Sequence, residues 1–131
     1  MADEKAPEEG TETRLDGLVL RDVPFVGTYS TKVFQEKHQS TVPRDLREIL
    51  KLRQGVKNAR DIVLFLQIDE GLVYLSDSPD EGLCPKVRLA KMDMQGRIVL
   101  PSAIFNREYA TYTGCGGYIE VRPADQPVPE S

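Results

Sequence analysis

Between Phe25 and Arg122 the chain is a succession of short apolar or alternating runs rich in Val, Ile, Leu and Tyr, each closed by Gly, Pro, Asp or Asn. A hydrophobic period of two belongs to a strand with one buried face, so the pattern predicts a mainly β fold. Strands are expected over 25–34, 62–68, 72–76, 87–92, 97–100, 110–113 and 118–122. Two hairpins are expected, at Asp69-Glu70-Gly71 and at Gly114-Cys115-Gly116-Gly117, because glycine supplies the positive φ that tight hairpins require. The period changes in two places only. After Pro43, whose fixed φ suits a first helical turn, Leu46, Ile49 and Leu50 make one apolar stripe and predict a short amphipathic helix. After Pro101, Ser102 with Ile104 and Phe105 predicts a second helix of about two turns.

These elements repeat. Thr41-Val42-Pro43 matches Val99-Leu100-Pro101, and each is preceded by a basic strand and turn and followed by a helix and a glycine hairpin. The offset is 58 residues at the prolines but 46 at Gly71 and Gly117, so the first repeat carries about twelve extra residues. They fall in 51–60, a stretch with four bases. Two units of this size, about 25–78 and 85–122, predict a pseudo-twofold domain in which each half completes the core of the other.

Composition sets the outer boundaries. Residues 1–16 hold few large apolar side chains, and 1–22 is expected to be a flexible acidic arm. Residues 123–131 are expected to form an extended, Pro-rich tail, leaving 23–122 as the folded domain. With 131 residues, 40% of them apolar, one modest core is what the chain can bury.

The net charge of −4 speaks against a nucleic-acid partner until it is divided along the chain. Residues 1–24 hold seven acids and three bases, whereas 32–60 hold eight bases and three acids. Residues 61–85 hold six acids and no base, and 86–107 return to five bases and one acid. Two basic blocks therefore sit inside an acidic protein. Charge blocks of this kind are compatible with a solvated face as well as with a polyanion site.

Candidate reaction chemistry is sparse. A single histidine, His38, and two cysteines, Cys84 and Cys115, supply no ligand spacing for a metal and no triad, so no metal, cofactor, small-molecule substrate or enzymatic role is expected. The cysteines could form one disulfide, but in a cytosolic chain they read as reduced small hydrophobes. The longest apolar run, 62–66, is too short for a membrane helix, and the acidic start lacks the pattern of a secretory signal, so a cytoplasmic address is expected.

The runs Phe25-Val26-Gly27-Thr28-Tyr29, Val42-Pro43-Arg44-Asp45-Leu46-Arg47, Asp93-Met94-Gln95-Gly96-Arg97-Ile98-Val99-Leu100-Pro101 and Gly114 to Val121 together resemble the MraZ family of bacterial, AbrB-type regulators. The resemblance spans about 25–122, and its most specific element is the Asp-x-x-x-Arg turn at Asp93 and Arg97. It implies a mainly β fold with short α-helices, a tandem-repeat double swapped-hairpin (AbrB-like) β-barrel. It also implies a ring-shaped homo-oligomer that binds repeated promoter boxes in double-stranded DNA as a repressor, associated with the nucleoid.

The motif carries its own physical argument. Gly96 permits the sharp reversal, and a carboxylate at Asp93 can brace the Arg97 guanidinium so that less rotamer entropy is lost on reaching a phosphate or a guanine edge. Lys91, Arg88 and Lys86 on the preceding strand extend the positive surface, with Lys37 and Arg44 as further contacts from the first repeat. The same pair can instead staple a β-turn and nothing more. In the first repeat, aligning the prolines puts Gln35 at the Asp93 position, His38 at the glycine and Gln39 at the arginine. Gln39 carries no charge, so contacts from this half should be weaker and less sensitive to salt. In the second, Phe105 stands where the first has Arg47. These losses leave a second reading open: a diverged paralogue that keeps barrel and ring but serves as an oligomeric protein-binding scaffold.

Overall fold

The computed structural model describes residues 23–78 and 87–129. The 1–22 arm, the connection that contains Cys84 and Lys86, and the last two residues lie outside them. In chain order the elements are β1 (Thr28–Phe34), β2 (Gln39–Thr41), α1 (Arg44–Gln54), a 3-10 turn (Ala59–Asp61), β3 (Val63–Asp69), β4 (Leu72–Ser76), β5 (Val87–Lys91), β6 (Arg97–Val99), β7 (Tyr109–Gly114) and β8 (Ile119–Ala124). Strand neighbours run β5-β3-β4-β8-β7-β1-β2-β6, all antiparallel. The two end strands also meet, and the Asp93 amide donates to the Arg97 carbonyl at 3.1 Å. The sheet thus curls into a nearly closed barrel, which hides most of its edge groups.

The halves of the chain interleave. β1 pairs with β7, β2 with β6, β3 with β5 and β4 with β8. In the β2–β6 ladder Gln39 faces Val99, Ser40 faces Ile98 and Thr41 faces Arg97, so a step of 58 residues exchanges the two strands without changing a single pairing. In the β4–β8 ladder, where Val73 faces Val121 and Leu75 faces Ile119, a step of 46 does the same. The bonds from Val42 N to Gly96 O and from Leu100 N to His38 O, both 2.8 Å, are likewise exchanged by 58. The offsets counted at the prolines and at the glycines therefore relate equivalent places in the fold.

Fully buried side chains from both halves fill the interior, among them Phe25, Leu64, Leu75, Ile98, Phe105 and Ile119. Helix α1 adds Leu46 and Leu50 to this core, each contributing about 2 kcal/mol of transfer free energy. The helix ends at Gly55, whose φ of 68° lets the amide of Val56 return to the Lys51 carbonyl.

The expected second helix is absent. Ile104 N and Phe105 N both donate to the Pro101 carbonyl, at 3.1 and 2.9 Å, and close a single turn. The matching bond from Arg47 N to Pro43 O, 2.9 Å, opens all eleven residues of α1. The second half lacks the inserted residues, and its chain must enter β7 already at Tyr109, which leaves no length for a helix and its return. The strand expected from Phe25 starts only at Thr28, after a lone bridge from Phe25 to Gly116. Gln39-Ser40-Thr41, outside every expected strand, forms β2. Its central Ser40 is fully buried and accepts the Tyr112 hydroxyl at 2.9 Å, with Thr31 Oγ1 at 2.7 Å. Burial pushes the Tyr112 phenol up to about 12, so it remains a donor throughout the physiological range. At the other end β8 runs into the expected tail, with Pro123 opposite Ala110, and Val128 N further on donates to Ser30 Oγ at 2.8 Å.

Candidate nucleic-acid interface

The turn between β5 and β6 is built around one carboxylate. Asp93 Oδ1 accepts the amides of Gln95 and Arg97, both at 2.9 Å, and Oδ2 accepts Arg97 Nε at 2.7 Å. A second brace comes from Gln95, whose Oε1 accepts Arg97 Nη2 at 2.7 Å. Partial burial pulls the Asp93 pKa upward, but the Arg97 amide and guanidinium and the Gln95 amide outweigh it and hold the carboxyl below its ordinary value. The guanidinium is thereby fixed in direction while 37% of the Arg97 side chain stays open to solvent. An oriented, part-exposed Arg at a strand start can meet a phosphate or a guanine edge with little further loss of entropy.

A residue from the first half completes the turn. Arg47 on α1 donates from Nε to the Val42 carbonyl at 2.9 Å and from Nη1 to the Gln95 carbonyl at 3.4 Å. Its side chain crosses so close to Gly96 that a β-carbon there would run into Arg47 Cδ. Gly96 also stands at φ 81°, so glycine is required twice over. Reading the sequence for DNA contacts passes over Arg47 as a site residue. Its signal is the exchange for Phe105, which is fully buried at the equivalent place.

The turn between β1 and β2 is the counterpart. His38 there has φ 53°, the one positive value outside glycine among the described residues, and it occupies the place of Gly96. Gln39 and Arg97 are equivalent, each the first residue of its strand. Gln35 does not take the place of Asp93, however. The β1–β7 and β3–β5 ladders, followed to their ends, put Phe34 there, because this turn is one residue longer. Gln35 instead donates from Nε2 to the Arg107 carbonyl.

Outward-facing positions on β2 and β6 consequently form two cross-strand rows. One contains Asp93, Arg97 and Thr41; the other contains Phe34, Gln39 and Val99. Among the other basic residues, Lys91 ends β5 two residues before Asp93 and borders a cleft of about 280 Å³ with Arg60, Leu89 and Met92. Arg44 opens α1, two residues beyond the Val42 amide that is bound to Gly96. Arg88 is exposed but lies on the opposite face of β5 from Lys91, since strand side chains alternate. Lys37 is exposed in the other turn, at the far end of the β2–β6 ladder, and Lys86 is outside the described residues.

Part of the first basic block is spent internally. Arg53 makes two bonds to Asp77, at 2.7 and 3.1 Å, donates to the Val23 carbonyl and stacks 4.7 Å over the Phe25 ring. Only 13% of its side chain is exposed. Lys51 pairs with Glu48 at 2.8 Å. Cys115 is a free, exposed thiol in the β7–β8 hairpin and not a packed hydrophobe, because that hairpin points its tip into solvent. Among the described residues no group of three His, Cys, Asp or Glu gathers into a metal-binding cluster.

No protein-family model matches the chain, and no curated protein matches it.

Proposed function

We propose that this chain is a sequence-specific DNA-binding transcription regulator of the repressor type. It works as a ring-shaped homo-oligomer on repeated promoter boxes and belongs to the cytoplasm and nucleoid. Its barrel is read as the tandem double swapped-hairpin arrangement of MraZ-like proteins, which the matching ladders of the two halves support. Carrying the reading is one observation: the Arg97 guanidinium is braced by Asp93 and Gln95 and yet remains part-exposed. One such contact is weak, and several copies acting on repeated boxes raise the effective concentration of each. Among the described residues no helix is long and apolar enough to cross a membrane.

The test is duplex binding by the intact chain as a function of salt. Affinity should fall steeply with ionic strength, and Arg97→Ala should flatten the logarithmic slope by roughly one unit for each phosphate the arginine neutralises. Binding that ignores salt, or no binding to any promoter fragment, overturns the reading. A second reading, an oligomeric protein-binding scaffold, is favoured by one observation: the row equivalent to Arg97 carries Phe34 and Val99, which are 52% and 53% exposed. Under it the subunits still assemble, but no duplex is shifted.

A further inference from the structure

We propose that the row of Phe34, Gln39 and Val99 reads an A·T base pair beside the contact made by Arg97; this rests on the DNA-binding reading above. Position comes first. Both rows lie on the outward face of the same two strands, two residues apart. At roughly 3.3 Å per residue that separation is about 6.6 Å. Successive base pairs rise by about 3.4 Å, so the rows match a spacing of two base-pair steps. A duplex seated on Arg97 and running along β2 and β6 therefore covers Gln39.

Chemistry then selects the base. A glutamine carboxamide offers one donor and one acceptor, the complement of adenine N6 and N7 in the major groove. The partner of adenine presents a thymine methyl group, and the exposed carbon of Phe34 and Val99 on either side of Gln39 gives it an apolar seat. Gln39 itself is half-buried, held directly opposite Phe34 in one ladder and Val99 in the other, which limits the conformations it must give up on binding. No cation occupies this row, so its contribution is discrimination between bases and not counterion release. The fold thus sets a neutral reading position beside a charged one, both derived from the same place in the repeat.

The experiment selects duplexes from a randomised pool with the full chain, then compares Gln39→Ala, Phe34→Ser and Arg97→Ala. Wild type should enrich an A·T pair at a fixed short spacing from the Arg97-dependent position. Gln39→Ala should lose about tenfold or more of that preference while its salt slope stays at the wild-type value, and Phe34→Ser should lose a smaller part of it. Arg97→Ala should do the reverse, lowering the slope and leaving the A·T preference. Gln39, Phe34 and Val99 are surface residues, so an unchanged melting temperature verifies that each variant is folded. A Gln39→Ala protein with wild-type base preference overturns the inference and leaves DNA binding intact. Phe34→Ser altering subunit number with base preference unchanged assigns the row to a protein contact and also overturns it. A wild-type chain that binds no duplex overturns this inference together with the reading beneath it.

Discussion

The two turns that flank the β2–β6 ladder differ in almost every side chain and by one residue in length, but agree where each enters its strand. Each ends on a left-handed residue, Gly96 or His38, whose carbonyl accepts an amide from the opposite half at 2.8 Å. One turn has a carboxylate that binds two amides and a guanidinium; its counterpart has Phe34, with nothing to offer an amide, and reaches the same strand entry with one more residue. His38 meets the backbone requirement at the expense of a left-handed conformation and a buried Nδ1 without a hydrogen-bond partner. The closure of the barrel thus dictates the path of the chain at both turns, while the chemistry displayed there is free to diverge. One repeat keeps a charged contact and the other does not.

The largest break in this equivalence should come from the core. Leu46 and Ile104 occupy matching places, but Leu46 is fully buried on α1 and Ile104 only partly so on its single turn. Leu46→Ala should cost about 2–5 kcal/mol in chemical unfolding and Ile104→Ala about 1 kcal/mol. Equal losses would mean that the shortened turn packs as well as the helix.

Next in size are the left-handed positions. Gly96→Ala meets both a strained φ and the Arg47 side chain and should cost about 2 kcal/mol in the same assay. His38→Gly should be neutral or stabilise by up to ~1 kcal/mol, because it relieves strain and removes the orphaned ring nitrogen. A destabilising His38→Gly would show that the imidazole makes a contact worth more than its strain.

Smallest is the effect of acid. Because the folded pKa of Asp93 is lowered, its contribution is fully present above the ordinary carboxylate pKa and disappears as pH falls through the lower folded value. Solvent screens a pair that is more than a third exposed, so the loss should stay below ~1 kcal/mol. Amide exchange at Gln95 and Arg97 should accelerate over that range relative to the core, and the first turn, with Phe34 in the matching place, should show no such step. Exchange at Arg97 that is indifferent to pH would remove Asp93 as the brace.

Much of this was legible in the chain. β3, β4, β5 and β6 follow the alternating runs to within a residue or so, both hairpins turn at their glycines, and the offsets of 58 and 46 reappear in the ladders. The Asp93, Gly96 and Arg97 group was legible because its interactions span four residues. β2 was not, since its polar Ser40 becomes a core residue only through Tyr112, 72 positions away. A count from the prolines sets Gln35 against Asp93 because it cannot register the extra residue in the turn. Nor does a charge count distinguish Arg53, packed against Asp77 and Phe25, from Arg44 on the surface. The Ile104-Phe105 pair satisfies the local helical pattern, yet the distance to β7 decides that only one turn forms.

Taken alone, the order of residues determined most of the strands, where the chain must reverse and that the Asp93 carboxylate faces the Arg97 guanidinium, for these follow from steric and electrostatic forces over a few bonds. Tertiary structure decided the rest: that the strands of each half pair with those of the other, that Arg47 reaches across to hold the second turn, and that Phe34, Gln39 and Val99 align beside Arg97. Those outcomes depend on how an eight-stranded sheet closes on itself, and closure is a property of all the ladders together.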